Sequence, residues 1–548
     1  MLRKDLKVKR PEGTKVYRKG TNVYVYHTVD SVYKKEKQYV VESRVCIGKM
    51  LDEEYMMPNE NYMKHYSFEG VEEKEQEYSE ALQIATMILL KKIMEDLGLT
   101  EILREVYEEQ ADLLQDLVSY MIIRQTSTMH HYADFAFVHM QSSKKIRDDS
   151  RITELFKTRI GVGEVEEFQR KWNERQTEKA GVYVGYDSTN MNTKAQGIEM
   201  AEYGHAKEKR EIPQVNISYA VKQSDATPLF YEMYPGSIID NSQCTYMVDR
   251  MRSYGYQSVG FVLDRGYVSL KNIRYFDENN YDFVMMMKLN TKATQEYLKK
   301  ALFELRMKNE YYIPENGVNG MTFTGKLWET DTKTRYIHIY YDNVRGNEER
   351  NRYLDQVQEK QKQLEQKVAE KLHTEDELGA YKQTFRLKLD SYGYLESYTR
   401  DEKKIKEQTD TLGFFILVTS AQMSATEALQ IYRDRDSTEK LFRALKTGLE
   451  YDTYRVHSQK SLAGKTHVMF IASIVRNRLF QVLKANRGMD KKNFTVPAAL
   501  SELEKVVAIK DNKDGKYVRR YGLTSKQKKI LRPFGIDNKY LDKILLDF

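Results

Sequence analysis

The chain has 548 residues, and at about 100–200 residues per domain this length predicts several domains. Hydrophobic residues make up 41% and aromatic residues 11%, with only 28 glycines and 8 prolines, so disordered, collagen-like and low-complexity classes are excluded. Two cysteines are too few for a disulfide framework or a cysteine-based zinc site. The longest apolar runs fall far short of the roughly 18 residues of a membrane-spanning helix, and no apolar segment follows the basic N-terminus. We therefore expect a cytoplasmic protein with no membrane partner.

The net charge is +7, and basic residues concentrate near both ends. Residues 1–50 carry 13 Lys and Arg against 5 Asp and Glu, and residues 501–548 carry 12 against 7. Such ends are suited to a polyanion, but a solvated surface explains a modest excess equally well. Charge alone decides nothing about function.

The hydrophobic pattern changes several times along the chain. Alternating residues from Lys15 to Met50 predict strands, whereas three- and four-residue spacing from Leu99 to Met121 predicts helices. Strands then alternate with helices from Ala180, which predicts a mixed α/β sheet. The interruption after this sheet holds a predicted hairpin over 320–342 and a solvated helix over 348–377, and GFFILVTS returns to a strand pattern. The predicted segments are 1–75 (β domain), 76–175 (helical), 176–290 (first part of the α/β domain), 291–412 (β-rich insertion), 413–485 (second part) and 486–548 (basic C-terminal tail).

Two carboxylates stand where apolar strands end. Asp187 closes the run VYVGYD, and Asp264 closes the run GFVLD. In open α/β sheets ligands usually bind at this edge, although a single Asp after a strand is more often a turn or cap residue. Two such positions favour a site.

A helix beginning at the capping box of Ser424 and Glu427 provides the third group. At 100° per residue, Tyr432, Arg435, Glu439 and Lys446 fall within about 60° of one another on the helix surface. This face could be a solvated, salt-bridged surface. Alternatively, it could join the two aspartates, since phosphodiester chemistry needs hard oxygen ligands for divalent cations, and Arg and Lys grip phosphate oxygens.

The residues resemble the DDE transposases of bacterial insertion sequences, in the group defined by the YREK signature. Tyr432, Arg435, Glu439 and Lys446 meet its Tyr-x2-Arg-x3-Glu-x6-Lys spacing. The stretches GYDSTNMNTK, YPGSIIDNS, LDRGYVSLKNI, GFFILVTS and YRVHS recur in the family's order, over roughly residues 15–485.

The resemblance implies a ribonuclease-H-like α/β fold with the insertion between the second Asp and the Glu. It implies that Asp187, Asp264 and Glu439 are catalytic and bind Mg²⁺, for which Mn²⁺ can substitute. The implied reaction is hydrolysis at the terminal inverted repeats of the element, followed by transesterification into target DNA.

The implied partners are both DNAs and, in the complex, a second copy of the chain. By the same resemblance Tyr432, Arg435 and Lys446 contact DNA phosphates, and Arg265, next to Asp264, is a further candidate DNA contact. Arg455 and His457 either touch DNA or cap the following turn. We expect residues 1–175 to read the repeats, with the tail 501–548 adding phosphate contacts.

Two other functions remain open from sequence. A catalytically silent descendant would keep the fold and bind DNA, with the carboxylates only structural. A related nuclease would cleave DNA without joining it.

Overall fold

The structure is a computed structural model, and it describes residues 7–34, 39–66, 78–204, 211–238, 240–289, 291–370, 376–436, 439, 455–488, 494–511 and 515–548. The chain divides into two compact units, Met1–Glu77 and Tyr78–Phe548. Within these described ranges, no helix is long and apolar enough to cross a membrane.

The first unit is an antiparallel sheet with one short helix. Its elements are β1 (Val8–Lys9), β2 (Lys15–Lys19), β3 (Asn22–Lys34), β4 (Tyr39–Met50), β5 (Tyr55–Pro58) and α1 (Glu60–His65). The strand order is β1-β5-β4-β3-β2. The strands predicted between Lys15 and Met50 are confirmed. Helix α1, which the sequence pattern does not indicate, begins where the Asn59 side chain accepts hydrogen bonds from the backbone N–H groups of Asn61 and Tyr62.

The second unit begins with one short strand and then helices. These elements are β6 (Ala81–Gln83), α2 (Ala85–Asp96), α3 (Leu99–Tyr107), α4 (Ala111–Arg124), α5 (Tyr132–Val138), α6 (Asp149–Thr158) and α7 (Val162–Glu174). The helices predicted from the three- and four-residue spacing are confirmed, and the residues that recur at this spacing, such as Leu103, Leu114 and Leu117, are fully buried.

A nine-stranded mixed sheet follows. Its first part contains β7 (Tyr183–Asn192), β8 (Gln214–Lys222), β9 (Thr227–Pro235), α8 (Asp240–Ser253), β10 (Gly260–Leu263), α9 (Leu270–Glu278) and β11 (Asp282–Met287). Strands β7, β8 and β9 are joined as antiparallel neighbours, whereas β10 runs parallel to both β7 and β11.

The segment 291–412, predicted as an insertion, adds to the same sheet. It contains α10 (Lys292–Met307), β12 (Tyr312–Ile313), β13 (Val318–Gly325), β14 (Arg335–Tyr341), α11 (Asn343–Glu370), β15 (Phe385–Leu389), β16 (Leu395–Arg400) and α12 (Glu402–Thr409), and is followed by β17 (Phe414–Thr419). The sheet order is β12-β13-β14-β17-β11-β10-β7-β8-β9. The hairpin predicted over 320–342 is confirmed as β13 and β14. Helix α11 is largely exposed, as predicted, but Val357 and Leu364 are buried against β15, β16 and α12.

The remaining elements close the second unit. They are α13 (Ala425–Asp434), α14 (Gln459–Asn486), α15 (Val496–Leu503), β18 (Val507–Lys510), β19 (Tyr517–Arg519), α16 (Ser525–Leu531) and α17 (Asn538–Leu546). Strand β18 pairs with β6, at the other end of the unit. The segment 486–548, predicted as a basic tail, is therefore folded in its described part. Its Leu503 and Leu541 join Leu82 in the largest hydrophobic core of the chain.

A buried ionic cluster links helix α9 to the segment 291–412. Arg335, at the start of β14, has 1% of its side chain exposed and lies between two carboxylates. Its guanidinium donates to Asp277 of α9 at 2.9 and 2.6 Å and to Asp331 at 3.0 and 3.1 Å. The rings of Phe283 and Trp328 lie 5.5 and 5.7 Å from the guanidinium. Every nitrogen of the fork thus has a carboxylate partner in a dry environment.

Candidate functional site

Two aspartates lie opposite each other on neighbouring parallel strands. Asp264 directly follows β10, but β7 continues past Asp187 to Asn192, so the prediction that Asp187 ends its strand is wrong. Val262 of β10 is paired with Gly185 of β7. Extending this register by two residues places Asp264 opposite Asp187. Neighbouring strands are about 4.8 Å apart and side chains alternate between faces, so the two carboxylates project from the same face as close neighbours. The register between β7 and β10 therefore determines that the two aspartates are neighbours.

The face that carries both carboxylates lies between two helices. Val262, which points to the same side as Asp264, packs with Leu429 and Tyr432 of α13. Met191, which points to the same side as Asp187, belongs to the core that contains the apolar residues of α14. Helix α13 therefore packs on this face beside Asp264, and the face beside Asp187 joins the larger core.

Each aspartate is oriented by the backbone that follows it. Oδ1 of Asp187 accepts a hydrogen bond from the N–H of Ser188 at 2.9 Å, and Oδ1 of Asp264 accepts one from the N–H of Arg265 at 2.7 Å. This local arrangement turns the second oxygen of each carboxylate away from its own backbone. The side chain of Asp187 is 17% exposed, so solvent reaches it only in part.

Helix α13 is held over this edge at both ends. The capping box predicted at Ser424 is confirmed: its hydroxyl accepts from the N–H of Glu427, whose carboxylate accepts from the N–H of Ser424. The hydroxyl of Tyr340 donates to the carbonyl of Ala425 at 2.7 Å. Near the other end, Arg433 donates to the side-chain and backbone oxygens of Asn316 at 2.8 and 3.0 Å.

Arg435 connects the strands to the helix. Its side chain, 8% exposed, donates through Nη2 to Glu439 at 2.5 Å, and its Nη1 lies 3.7 Å from Oδ2 of Asp187. Burial opposes the charged guanidinium, but Tyr432, Asp187, Asp264 and Glu439 together outweigh it and raise the pKa of Arg435. The arginine is therefore a fixed positive charge among three carboxylates.

Tyr432 closes the site from the side of Asp264. Its hydroxyl makes a long hydrogen bond of 3.5 Å to Oδ1 of Asp264, and the guanidinium of Arg435 lies 5.4 Å from its ring. Burial raises the pKa of Tyr432, with the charges of Asp264 and Glu439 adding to the shift and Arg435 opposing it. The phenol is thus neutral and serves as a hydrogen-bond donor.

The backbone at Glu439 continues the helical pattern beyond α13, since its N–H donates to the carbonyl of Arg435. Five of the predicted site residues are thus brought together: Asp187, Asp264, Tyr432, Arg435 and Glu439. The sixth member of the predicted set, Lys446, lies outside the described residues.

The side chains of the other candidates, Arg265, Arg455 and His457, take no part in the contacts above. Arg265 is exposed beside Asp264. Arg455 and His457 are also exposed, on the segment that precedes α14. This segment approaches the loop after β7 so closely that a Cβ on Gly197 would lie 2.4 Å from the carbonyl oxygen of His457. The glycine therefore permits this contact.

Sequence reasoning missed Arg433. Its contact with Asn316 fixes the helix that carries Tyr432 and Arg435 to the turn between β12 and β13. The two residues are 117 positions apart, and Arg433 points away from the predicted polar face. Nothing in the local pattern pairs them, so only the fold reveals this link.

The carboxylate oxygens of Asp187, Asp264 and Glu439 are of the type that a hard divalent cation prefers. Within the described residues, however, no three His, Cys, Asp or Glu side chains lie close enough together to hold a metal ion. The guanidinium of Arg435 lies between Asp187 and Glu439, where it supplies the positive charge that these carboxylates attract.

Comparison with known proteins gives one family and one solved structure. Residues 184–475 match the family described as the transposase DDE domain, a range that includes all three carboxylates. The cryo-EM structure of the piggyBac transposase synaptic complex with hairpin DNA is 10% identical to this chain; the match covers 84% of each chain with a TM-score of 0.38. No curated protein matches the sequence.

Proposed function

Because this chain belongs to the family of the transposase DDE domain, which implies a DNA-cleaving enzyme, we propose that it cuts DNA at the terminal inverted repeats of a mobile element and joins the freed ends to target DNA. The pairing of Asp187 and Asp264 on neighbouring parallel strands carries this proposal. In the proposed complex two copies of the chain hold the two ends, and the reaction takes place on chromosomal DNA in a bacterial cytoplasm.

The proposal includes a ribonuclease-H-like arrangement of the first five strands. Strands β9, β8, β7, β10 and β11 are consecutive neighbours, with β7, β8 and β9 antiparallel and β10 and β11 parallel to β7. In this arrangement the first acid is on the first strand, the second follows the fourth strand, and the third is on a later helix. The positions of Asp187, Asp264 and Glu439 support it.

We assign Asp187, Asp264 and Glu439 to the binding of Mg²⁺, or of Mn²⁺ in its place. When bound, such cations activate the attacking oxygen and stabilise the leaving oxygen of a phosphodiester. The aspartates supply ligands already held in register by the sheet, so little side-chain freedom is lost when a cation binds. Glu439, whose side chain is 46% exposed, is the ligand with the greatest freedom to adjust.

We assign Arg435 and Tyr432 to the phosphate groups next to the cut, together with Lys446. The guanidinium of Arg435 remains charged because its neighbours raise its pKa, and its planar fork suits two phosphate oxygens. The neutral phenol of Tyr432 donates one further hydrogen bond. Contact with phosphate then draws Arg435 away from Glu439 and frees that carboxylate for a cation. We assign Arg265, Arg455 and His457, which are exposed, to further contacts along the DNA strand.

The test is cleavage of a labelled DNA that carries the sequences flanking the gene, with Mg²⁺ or with EDTA. Asp187→Asn, Asp264→Asn and Glu439→Gln keep the shape of each side chain and remove its charge. We expect each to lose metal-dependent nicking and strand transfer while binding of the DNA remains. Asp434→Asn, a neutralised exposed acid at the end of α13, is the matched control and should cleave as the unchanged protein does.

Cleavage retained in all three variants would refute the assignment. Binding without any cleavage by the unchanged protein would favour the silent DNA-binding descendant. Cleavage without a joined product would favour the nuclease.

A further inference from the structure

The sheet of the first unit has one covered face and one open face. On the covered side, Val25 and Ile47 are fully buried together with Tyr62 of α1. His27 lies on the same side, with its ring 4.7 Å from that of His65 and 5.2 Å from that of Tyr66. The other side has no helix over it in the described part of the unit.

The strand register identifies the residues of the open sheet face, a name we use for the outward side chains of β2, β3 and β4. These residues are Lys15, Tyr17, Lys19, Tyr24, Tyr26, Thr28, Glu42, Arg44 and Lys49. Their contacts agree with this placement. The rings of Tyr17 and Tyr26 meet edge to face at 5.3 Å, and the guanidinium of Arg44 lies 5.3 Å from the ring of Tyr17.

The open sheet face is strongly positive. Among its described side chains it carries four cations and one acid, Glu42, which is already bound by Lys15 at 2.6 Å and by Arg44 at 2.8 Å. Neither Lys19 nor Lys49 forms an ion pair with a described residue. Their charges are thus available to an external anion.

We propose that the open sheet face binds the phosphate backbone of duplex DNA. This inference rests on the proposed function for DNA as the substrate, and it adds a binding surface remote in sequence from the three carboxylates. Duplex DNA presents one negative charge per about 1.7 Å of its axis, which complements a row of cations on a rigid sheet.

The aromatic residues favour a duplex over a single strand. Single-stranded DNA binds by stacking its bases on free ring faces. Tyr17 is instead engaged by Tyr26 and by Arg44, so this ring stiffens the face and orients the arginine. We therefore expect the cations, and not the aromatic rings, to contact the DNA.

The experiment compares two double variants of the full chain that lose the same charge. Lys19→Gln with Lys49→Gln removes the two cations of the open sheet face that form no ion pair within the described residues. Lys7→Gln with Lys9→Gln removes one cation just before β1 and one within it, at the far edge of the same sheet, where they pair with Asp52 and Glu54. Binding to a labelled duplex is measured by fluorescence anisotropy in EDTA over a range of salt concentrations, so that no cleavage takes place.

The plot of log affinity against log salt has a negative slope, and we expect the first double variant to make it about 1.8 less steep. This variant should bind about 60-fold more weakly at 0.1 M salt. The second should match the unchanged protein. The charge-conserving double variant, Lys19→Arg with Lys49→Arg, should retain binding, which separates the loss of charge from any loss of folding.

Equal slopes for both glutamine variants would overturn the proposal. A single strand that binds more tightly than the duplex, with the same loss in the first variant, would overturn the choice of a duplex. If the first double variant changes the oligomeric state but not the affinity for DNA, the open sheet face binds a second copy of the chain and the proposal of DNA as its partner fails. If the unchanged protein never cleaves but the slopes differ as expected, the proposed function fails and this surface stands.

Discussion

Replacement of Arg335 tests the buried ionic cluster. Arg335→Met keeps the length of the side chain and removes its charge, which leaves Asp331 unpaired with 2% of its side chain exposed. Removing one partner of a buried pair typically costs about 3–5 kcal/mol, because the other charge stays desolvated. We expect the free energy of unfolding to fall by this amount.

The matched control is Arg170→Met. Arg170 also donates to one carboxylate with two nitrogens, at 2.9 and 2.7 Å from Glu167, but the side chains of this pair are 46% and 39% exposed. Exposed pairs contribute about 0–1 kcal/mol, so this variant should be nearly as stable as the unchanged protein. Urea unfolding followed by tryptophan fluorescence measures both, and Trp328 lies next to Arg335.

The pH dependence gives a second check on the same cluster. Burial acts to raise the pKa of Asp331, but hydrogen bonds from Arg335 and from the N–H of Lys333 hold it below its ordinary value. A lowered folded-state pKa contributes stability above the unfolded pKa of about 3.9, and this is lost as the pH falls through the folded value. The difference between Arg335→Met and the unchanged protein should therefore shrink below about pH 4. A difference no larger than that of Arg170→Met at neutral pH would refute the reasoning.

Three further predictions concern the second unit. Burial raises the pKa of Asp116 to about 6, above its unfolded value of about 3.9, so the protonated carboxyl favours the folded state below pH 4 and this contribution to stability is lost as the pH rises to 6. Asp116→Asn should therefore gain stability relative to the unchanged protein between pH 4 and pH 6. A constant difference in the free energy of urea unfolding over this interval would contradict the prediction. Gly464→Ala places a Cβ 2.5 Å from the carbonyl oxygen of Phe156 and should lower the free energy of unfolding by about 1–3 kcal/mol. The control is Gly163→Ala, whose Cβ meets nothing within 4 Å. A melting temperature lower for the Gly163 variant than for the Gly464 variant would refute this prediction. Ser424→Ala removes the cap of α13 and should cost about 1 kcal/mol, which a melting temperature equal to that of the unchanged protein would disprove.

The elements of the candidate site could be predicted because each has a local signal. The apolar runs before Asp187 and Asp264 predict the two strands, although β7 continues past Asp187 to Asn192, and the capping box at Ser424 sets the start of the helix that carries Tyr432 and Arg435. Helical periodicity then places these side chains on one face. Each signal depends only on residues within one or two turns or one strand.

The parts that could not be predicted depend on pairing between distant residues. Strand β6 has three residues, and only its pairing with β18 identifies it. The alternation of β13 and β14 predicts a hairpin but not its attachment to β17, since an edge strand and an inner strand share the same pattern. Strand β8 is buried on both faces, but its polar residues Asn216 and Ser218 interrupt the apolar run that such a strand usually shows. Their burial is explained by hydrogen bonds with Asn190 and Tyr186, which only the folded structure reveals.

The pairing of β6 with β18 has a consequence for the order in which the protein forms during synthesis. The largest core contains residues from Leu82 to Leu545, so its first helices leave the ribosome long before the segments that cover them. Until β18 and α17 have been made, α2 and its neighbours expose apolar surface that the finished chain buries. The second unit can therefore complete its core only after the residues up to Leu545 have been made. A copy of the gene shortened before β18 would thus leave a chain with an incomplete core, even though all three carboxylates were present.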